Sequence, residues 1–180
     1  MGRWRCGPGP RAGVVTGGER AVGARAHRIL IVDDDMGMAE TCARLFQRQG
    51  WAPLVAGSGQ EALGRLEADP EIELVLTDLV MPDLSGVELL QAAKRRDPTL
   101  AVIIMTGYGT IQNAVQAMKL GASDYLTKPF DKEQILAAVE KAAIIRALQA
   151  TDGNKSKAAE RLGIARDRLY RKIERYGIEA

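Results

Sequence analysis

The strongest constraint on the fold is a regular alternation of short apolar runs with longer segments of helical periodicity. From Arg28 onward, five apolar runs have the length and composition of buried strands, and a segment with helical spacing follows each one. In chain order the strand segments are RILIVDDD, APLVAGS, IELVLTD, AVIIMTG and DYLTKP. This rhythm predicts an α/β fold with a doubly wound, five-stranded parallel sheet.

Polar side chains stand where four of these strands end. In a doubly wound sheet, functional groups gather beyond the carboxyl ends of the strands, near the point where the strand order reverses. We therefore expect one shared crevice, lined by Asp33, Asp34, Asp78, Thr106 and Lys128. Taken singly, each has another explanation: a helix cap for Asp33 or Asp35, a strand-end hydroxyl for Thr106 and a solvated lysine for Lys128.

Carboxylates that share a crevice must share protons or bind a cation, because like charges repel strongly in a low dielectric. Mg²⁺ suits such a site, since it prefers oxygen ligands and retains water molecules. The predicted ligands are Asp34, Asp78 and the main-chain carbonyl of Val80. Asp78 is then the candidate nucleophile for a phosphoryl group, with Lys128 and Thr106 as partners of the phosphoryl oxygens.

Four motifs at these positions resemble the receiver domain of two-component response regulators, from Arg28 to about Ala143. They are ILIVDDD, LVLTDLVMPDLSG, IIMTGYG and GASDYLTKPF. The resemblance implies a flavodoxin-like sheet, and Asp78 as acceptor of a phosphoryl group from a phosphohistidine on a sensor histidine kinase. It also implies that Asp33 and Asp34 are the acidic pair at the magnesium site, completed by Thr106 and Lys128.

The same resemblance implies a conformational switch. On phosphorylation Thr106 moves toward the phosphoryl group and Tyr125 turns inward; without the resemblance, Tyr125 is equally well a partly buried core residue. The Lys128-Pro129 bond is expected to be cis. Val80 and Tyr108 occupy positions that shield the phosphoryl group, which predicts a lifetime of minutes or longer.

The C-terminal segment differs from the rest in charge and pattern. Residues 146–180 contain 9 Lys and Arg against 5 Asp and Glu, whereas residues 27–145 contain 11 against 17. Asn154 is a good N-cap for KSKAAERL, and RDRLYRKIERYG is a basic amphipathic helix with Leu169, Ile173 and Tyr176 on one face. Two helices joined by a glycine-containing turn predict a helix-turn-helix.

The motifs GNKSKAAERLGI and LYRKIERYGI resemble the Fis-type helix-turn-helix of NtrC-type regulators. We therefore expect binding to double-stranded DNA through six residues: Asn154, Ser156, Arg166, Arg168, Arg171 and Lys172. Ala165 departs from the pattern, because Ser or Asn often precedes the second helix, and this weakens its cap. A basic helix that is only solvated, or that binds a protein partner, is the alternative.

These patterns divide the chain into a disordered basic tail (1–26), a receiver domain (27–145) and a helix-turn-helix (146–180). No central ATPase motif appears, and one continuous helix from Asp131 to Ala150 is expected to join the two folded units. A single helix-turn-helix recognises only half of a two-fold symmetric operator. The protein is therefore expected to bind DNA as a homodimer, which forms on phosphorylation. The predicted function is a response regulator that controls transcription and is not otherwise an enzyme.

Two rival functions remain open at this stage. One is a phosphorelay or phosphate-sink receiver with a vestigial DNA-binding tail. The other is a hydrolase of the haloacid dehalogenase type, although Val80 stands where that family has an acid catalyst.

Composition narrows the class of protein further. Hydrophobic residues make up 46% and charged residues 27%, which is typical of globular chains, and no apolar run approaches the roughly 18 residues of a membrane span. We expect a cytoplasmic protein without a membrane partner. Cys42 lies in an apolar helical pattern and is expected to be a buried thiol, with no disulfide to Cys6.

Overall fold

The computed structural model describes residues 26–179, and within them five strands alternate with helices. The strands are β1 Arg28–Val32, β2 Ala52–Ala56, β3 Ile72–Asp78, β4 Ala101–Thr106 and β5 Asp124–Thr127. The helices are α1 Met36–Arg48, α2 Gly59–Ala68, α3 Gly86–Arg96, α4 Ile111–Lys119, α5 Lys132–Gln149, α6 Lys155–Arg161 and α7 Arg166–Tyr176. Except for Ala26, the predicted tail lies outside the described residues, as does Cys6. No helix in the described range is long and apolar enough to cross a bilayer.

The strands form one parallel sheet in the order β2-β1-β3-β4-β5. The predicted flavodoxin-like, doubly wound sheet is thereby confirmed. Chain order reverses between β1 and β3, so the switch point lies between these two strands. Side chains that follow β1 and end β3 therefore face each other across the crevice.

Hydrophobic cores lie on both faces of the sheet. On one face, α1 and α5 pack against alternate residues of β1, β3 and β4. On the other face, the remaining strand residues pack against α2, α3 and α4. The three central strands, β1, β3 and β4, are buried on both sides, which explains why they are nearly continuous apolar runs.

The register of the strands aligns the carboxyl ends of β1, β3 and β4, where the predicted site residues lie. Val32 pairs with Thr77, so the residues that follow them, Asp33 after β1 and Asp78 at the end of β3, reach the same height. Asp78 in turn lies level with Met105, directly before Thr106. Side-chain caps start the helices close behind these strand ends, including Asp35 at α1 and Asp131, in a capping box, at α5.

Helix α5 belongs to two hydrophobic cores. Its first half packs on the sheet through Ile135, Ala138, Val139 and Ala142. Its second half packs on α6 and α7 through Ile144, Ala147 and Leu148. The helix runs unbroken from Lys132 to Gln149, as expected from the sequence, and the predicted boundary at 145/146 falls within it.

The C-terminal helices form a small packed unit on the end of α5. Leu169 and Ile173 of α7 are buried in it, as the amphipathic pattern predicted. Gly163 turns the chain between α6 and α7 with a φ of 63°, a conformation that favours glycine. Ala165 precedes α7 in an extended conformation and makes no side-chain cap hydrogen bond, as the sequence indicated.

Candidate functional site

The three aspartates predicted at the carboxyl edge of the sheet meet in one cluster. One carboxylate oxygen from each of Asp33, Asp34 and Asp78 lies within 4.8 Å of the others. Asp33 is buried, Asp78 half-buried and Asp34 exposed. Asp33 also accepts a hydrogen bond of 2.9 Å from the Asp35 amide, which fixes its side chain at the start of α1. The true helix cap is Asp35, so capping does not account for Asp33 or Asp34.

Lys128 lies between two of these carboxylates. Its Nζ donates to Asp33 Oδ2 and to Asp78 Oδ2, each at 2.8 Å. Burial alone would lower the pKa of Lys128, but the hydrogen bonds and the charges of Asp33 and Asp78 raise it above its ordinary value. The ammonium therefore stays protonated, and the alternative of a solvated surface lysine does not hold.

The loop after Asp78 folds back against its carboxylate. The Val80 amide donates to Asp78 Oδ1 at 3.1 Å, and this contact brings the Val80 backbone to the edge of the acidic cluster. Gly86 makes the tight return possible, because a Cβ there would lie only 2.2 Å from the Asp78 carbonyl oxygen. The Val80 side chain remains 55% exposed beside the site.

Thr106 ends β4 with a fully buried side chain. Its Oγ1 accepts a hydrogen bond of 3.0 Å from the Tyr108 amide, so the hydroxyl proton is left to be donated elsewhere. Tyr108 itself is 81% exposed. Lys128 follows β5, and its amide donates to the Thr106 carbonyl at 2.7 Å, so the two strand ends are tied together.

Tyr125 lies inward in this structure. Its ring packs against the core formed with α2, α3 and α4, and its hydroxyl is buried without a hydrogen-bond partner among the described residues. A Cβ placed on Gly109 would be 3.4 Å from that hydroxyl, so the phenol lies beneath the loop that follows Thr106. Burial raises the pKa of Tyr125. This is the inward position that the resemblance associates with the phosphorylated form.

The Lys128-Pro129 peptide bond is cis, as expected.

Cys42 is buried, which also agrees with the sequence; burial, together with the nearby Asp33, raises the pKa of its thiol.

The charges of the cluster define the chemistry it can perform. Three carboxylates face a single ammonium, so the site carries an excess of negative charge and offers only oxygen ligands in its acidic part. A hard divalent cation fits this donor set better than a soft metal does. An anionic group bound next to Asp78 would be neutralised by that cation and by Lys128.

Most predicted DNA-binding residues lie on the exposed surface of α6 and α7. Asn154, Ser156, Arg166, Arg168 and Arg171 are all exposed. Asn154 caps α6, accepting from the Lys157 amide at 3.1 Å. Arg166, Arg168 and Arg171 place three positive charges on the exposed part of α7, with Asp167 and Glu174 exposed among them.

Lys172 departs from the prediction. Its Nζ lies 2.5 Å from Glu140 Oε1 on α5, and its side chain is 16% exposed. The residue sits on the side of α7 that faces α5, so it is not part of the basic surface. The sequence could not show this, because Glu140 is 32 residues away and nothing local distinguishes Lys172 from the neighbouring arginines.

Glu140 was itself missed by the sequence reasoning. Besides Lys172, it accepts a hydrogen bond of 2.6 Å from the Tyr176 hydroxyl. Burial, followed by the bond to Glu140, raises the pKa of Tyr176 to about 12. The charged pair Glu140 and Lys141, within an otherwise apolar stretch from Ile135 to Ile145, was the one available signal.

Two family models match successive parts of the chain. The family model described as "Response regulator receiver domain" matches residues 29–140. The one described as "Bacterial regulatory protein, Fis family" matches residues 135–176. The two matches overlap within α5, the helix that contributes to both cores.

Curated relatives show the same likeness over part of their length. The chain is 38% identical to the transcriptional regulatory protein ZraR of Escherichia coli over 114 residues, which are 63% of this chain and 26% of ZraR. It is 40% identical to the acid tolerance regulatory protein ActR of Rhizobium meliloti over 111 residues, 62% of this chain and 57% of ActR. The matched region thus spans between about a quarter and somewhat over half of these relatives.

A solved response regulator from Burkholderia pseudomallei, described with a phosphorylated aspartic acid, a calcium ion and citrate, superposes with a TM-score of 0.58. It is 32% identical, and the match covers 80% of this chain and 96% of that one. With the receiver match over well more than half of the sequence, these findings place the chain in a family. The chain belongs to the response regulator receiver domain family.

Proposed function

We propose that this protein is a response regulator that accepts a phosphoryl group on Asp78 and controls transcription by binding double-stranded DNA through α6 and α7. The observation that carries the proposal is the meeting of Asp33, Asp34 and Asp78 within 4.8 Å, with Lys128 bonded to two of them. The same chain carries an exposed basic helix pair at its other end.

The donor in this proposal is the phosphohistidine of a sensor histidine kinase. An Asp78 carboxylate oxygen attacks phosphorus, the new O–P bond forms, and the N–P bond to the donor imidazole breaks. The imidazole leaves with the electron pair and takes up a proton. Lys128, held protonated by its carboxylate partners, attracts the phosphoryl oxygens, and the Thr106 hydroxyl proton is available to one of them.

We assign a Mg²⁺ site to Asp33, Asp34 and Asp78, with the Val80 carbonyl as a further ligand. The ion would offset the negative charge that gathers as the phosphoryl group approaches the three carboxylates. The oxygen-only donor set and its excess negative charge support this assignment. Calorimetry of Mg²⁺ binding tests it: Asp34→Asn should weaken the affinity, whereas Asp152→Asn, in an exposed turn far along the chain, should not.

DNA binding is assigned to the exposed residues of the helix pair: Asn154, Ser156, Arg166, Arg168 and Arg171. Lys172 is left out because of its contact with Glu140. Binding through several phosphates makes affinity fall steeply with salt, by a log–log slope of about 0.9 per phosphate contacted. A single helix-turn-helix reads one half-site, so we propose that two copies bind a two-fold symmetric operator and that phosphorylation favours this pairing.

A phosphate-sink role is the second candidate. It requires a tail that has lost its DNA-binding surface, but α6 and α7 keep both a packed core and an exposed basic face. We therefore favour transcriptional control.

Phosphorylation with a small donor tests the proposal. The full chain is incubated with acetyl phosphate and Mg²⁺ and its intact mass is measured, with Asp78→Asn as the variant and Asp152→Asn as the matched control. Wild type and the control should gain one phosphoryl group and Asp78→Asn none. A stable phosphoryl adduct on Asp78→Asn would contradict the assignment.

A DNA-selection experiment tests the proposed control of transcription. The wild-type chain is used to select duplexes from a random-sequence library, and binding is then measured at several salt concentrations. Sequence enrichment with a steep salt slope supports a transcription regulator. Phosphorylation without any enrichment would favour the phosphate sink.

A further inference from the structure

Tyr170 is an aromatic residue exposed on the surface of α7. Its side chain is 40% exposed, whereas the neighbouring Leu169 is fully buried in the core of the helix pair. Packing therefore does not account for an aromatic side chain at this position. Asp167 and Glu174 are exposed on the same helix as Arg166 and Arg171, so the surface around the ring carries charges of both signs.

The Tyr170 ring contacts one cation from each of the two helices. Lys155 Nζ, in the first turn of α6, lies 5.6 Å from the ring centroid, and Arg166 Cζ, in the first turn of α7, lies 5.5 Å from it. Arg166 also donates a hydrogen bond of 3.2 Å to the Tyr170 hydroxyl. Both distances to the ring are within the range of cation–π attraction.

These contacts restrict Arg166 in particular. A free arginine on a helix surface samples many rotamers, and fixing it on DNA costs conformational entropy. Tyr170 contacts the Arg166 guanidinium in two ways, through its ring and through its hydroxyl. Because the phenol takes only one of the five guanidinium N–H donors, the others remain free for a ligand.

The position of Arg166 suggests what that ligand is. It is the first residue of α7, and the N-terminal residues of a recognition helix are those that reach base edges in the major groove. Arginine pairs with guanine there through two parallel hydrogen bonds, to O6 and N7. Such pairing depends on the orientation of the guanidinium plane as well as on its charge.

Resting on the proposed DNA-binding function, we propose that Tyr170 is a positioning residue that holds Arg166 for reading a guanine in the operator. Tyr170 acts through Arg166, and Lys155 of α6 contacts the same ring.

The test uses the full chain and the duplex that the wild type selects from a random-sequence library. Affinity is measured for that duplex and for versions with each guanine replaced in turn, at several salt concentrations. The variants are Tyr170→Phe, Arg166→Ala and their combination. Arg175→Ala, at the far end of α7, controls for the loss of one positive charge.

Arg166→Ala should abolish the preference for one particular guanine, a change of about tenfold or more. Tyr170→Phe should lower the same preference by about threefold to tenfold, since one hydrogen bond is lost. Its salt slope should stay at the wild-type value, and in the Arg166→Ala background it should have no further effect. Arg175→Ala should leave the preference intact.

Three results would overturn the inference: additive effects of the two substitutions, a guanine preference unchanged in Tyr170→Phe, or a reduced salt slope in that variant. The last result would mean that the hydroxyl holds a cation against a phosphate and not against a base. A wild-type chain that enriches no sequence at all would instead overturn the DNA-binding proposal, and the inference with it.

Discussion

The Lys172 ammonium of α7 lies 2.5 Å from the Glu140 carboxylate of α5, and this ion pair joins α7 to the helix on which it packs. The Tyr176 hydroxyl, one turn further along α7, donates to the other carboxylate oxygen. One glutamate therefore holds two successive turns of the helix. The arginines of α7 remain exposed.

Replacing Glu140 with glutamine should loosen α7. The carboxylate is 38% exposed and solvent screens the pair, so the free energy of unfolding should fall by only about 1 kcal/mol. Hydrogen–deuterium exchange of the α7 amides should become faster, because the helix loses its charged contact with α5. Glu133→Gln, in the exposed first turn of α5, is the matched control. Equal exchange in both variants would show that the ion pair does not hold α7.

Stability should depend on pH through His27, the one histidine of the chain. A 2.5 Å hydrogen bond to Glu73 raises the pKa of His27 above 6.5, against the opposing effects of burial and of Arg161. A raised pKa stabilises the fold fully below about pH 6.5, and the contribution is lost as the pH rises through the higher folded value. Thermal unfolding between pH 6 and 8 should show this loss. In His27→Gln the loss should vanish; a variant that keeps the full wild-type slope would assign it to other groups.

Adding a cap before α7 should stabilise the protein. Ala165 has the extended conformation of an N-cap residue but no side-chain acceptor, so Ala165→Ser should raise the free energy of unfolding by about 1 kcal/mol. Asn154→Ala, which removes the existing cap of α6, provides the opposite change and should lower it by a similar amount. Thermal melts of the free protein measure both. A serine variant that melts no higher than wild type would show that another group already satisfies the first amides of α7.

Removing the Tyr125 hydroxyl should not destabilise the fold. A buried hydroxyl without a partner is unfavourable, so Tyr125→Phe should be neutral or more stable by up to about 1 kcal/mol. Denaturant unfolding gives the comparison. Tyr176→Phe is the contrasting variant, because that hydroxyl is bonded to Glu140 and its loss should lower stability. A clear loss in Tyr125→Phe would mean that its hydroxyl has a partner.

The sheet and the acidic cluster could be predicted from sequence because both depend on local patterns. Each strand is a short apolar run, and parallel strands bring their carboxyl ends together whatever the details of packing. Asp33, Asp78 and Lys128 are each next to a strand end in the sequence, so topology alone was enough to group them.

Other features depend on contacts between distant residues and could not be predicted. The helical pattern placed Lys172 beside exposed arginines, but its environment is set by Glu140 on another helix. The inward position of Tyr125 depends on the space beneath the loop at Gly109, which no single-sequence pattern records. The sequence indicated that α5 is continuous and joins the two folded units, but not which of its residues enter each core.

One uninterrupted helix supplies side chains to both cores. The number of residues between Ala142, in the first core, and Ile144, in the second, therefore cannot change freely during evolution. An α-helix advances about 1.5 Å and turns about 100° per residue, so inserting a single residue there would swing α6 and α7 by more than a quarter of a circle around the receiver. Insertions of three or four residues, close to a whole turn, would nearly restore the direction in which the arginines point. We expect lineages with this architecture to differ in length at that point by such steps.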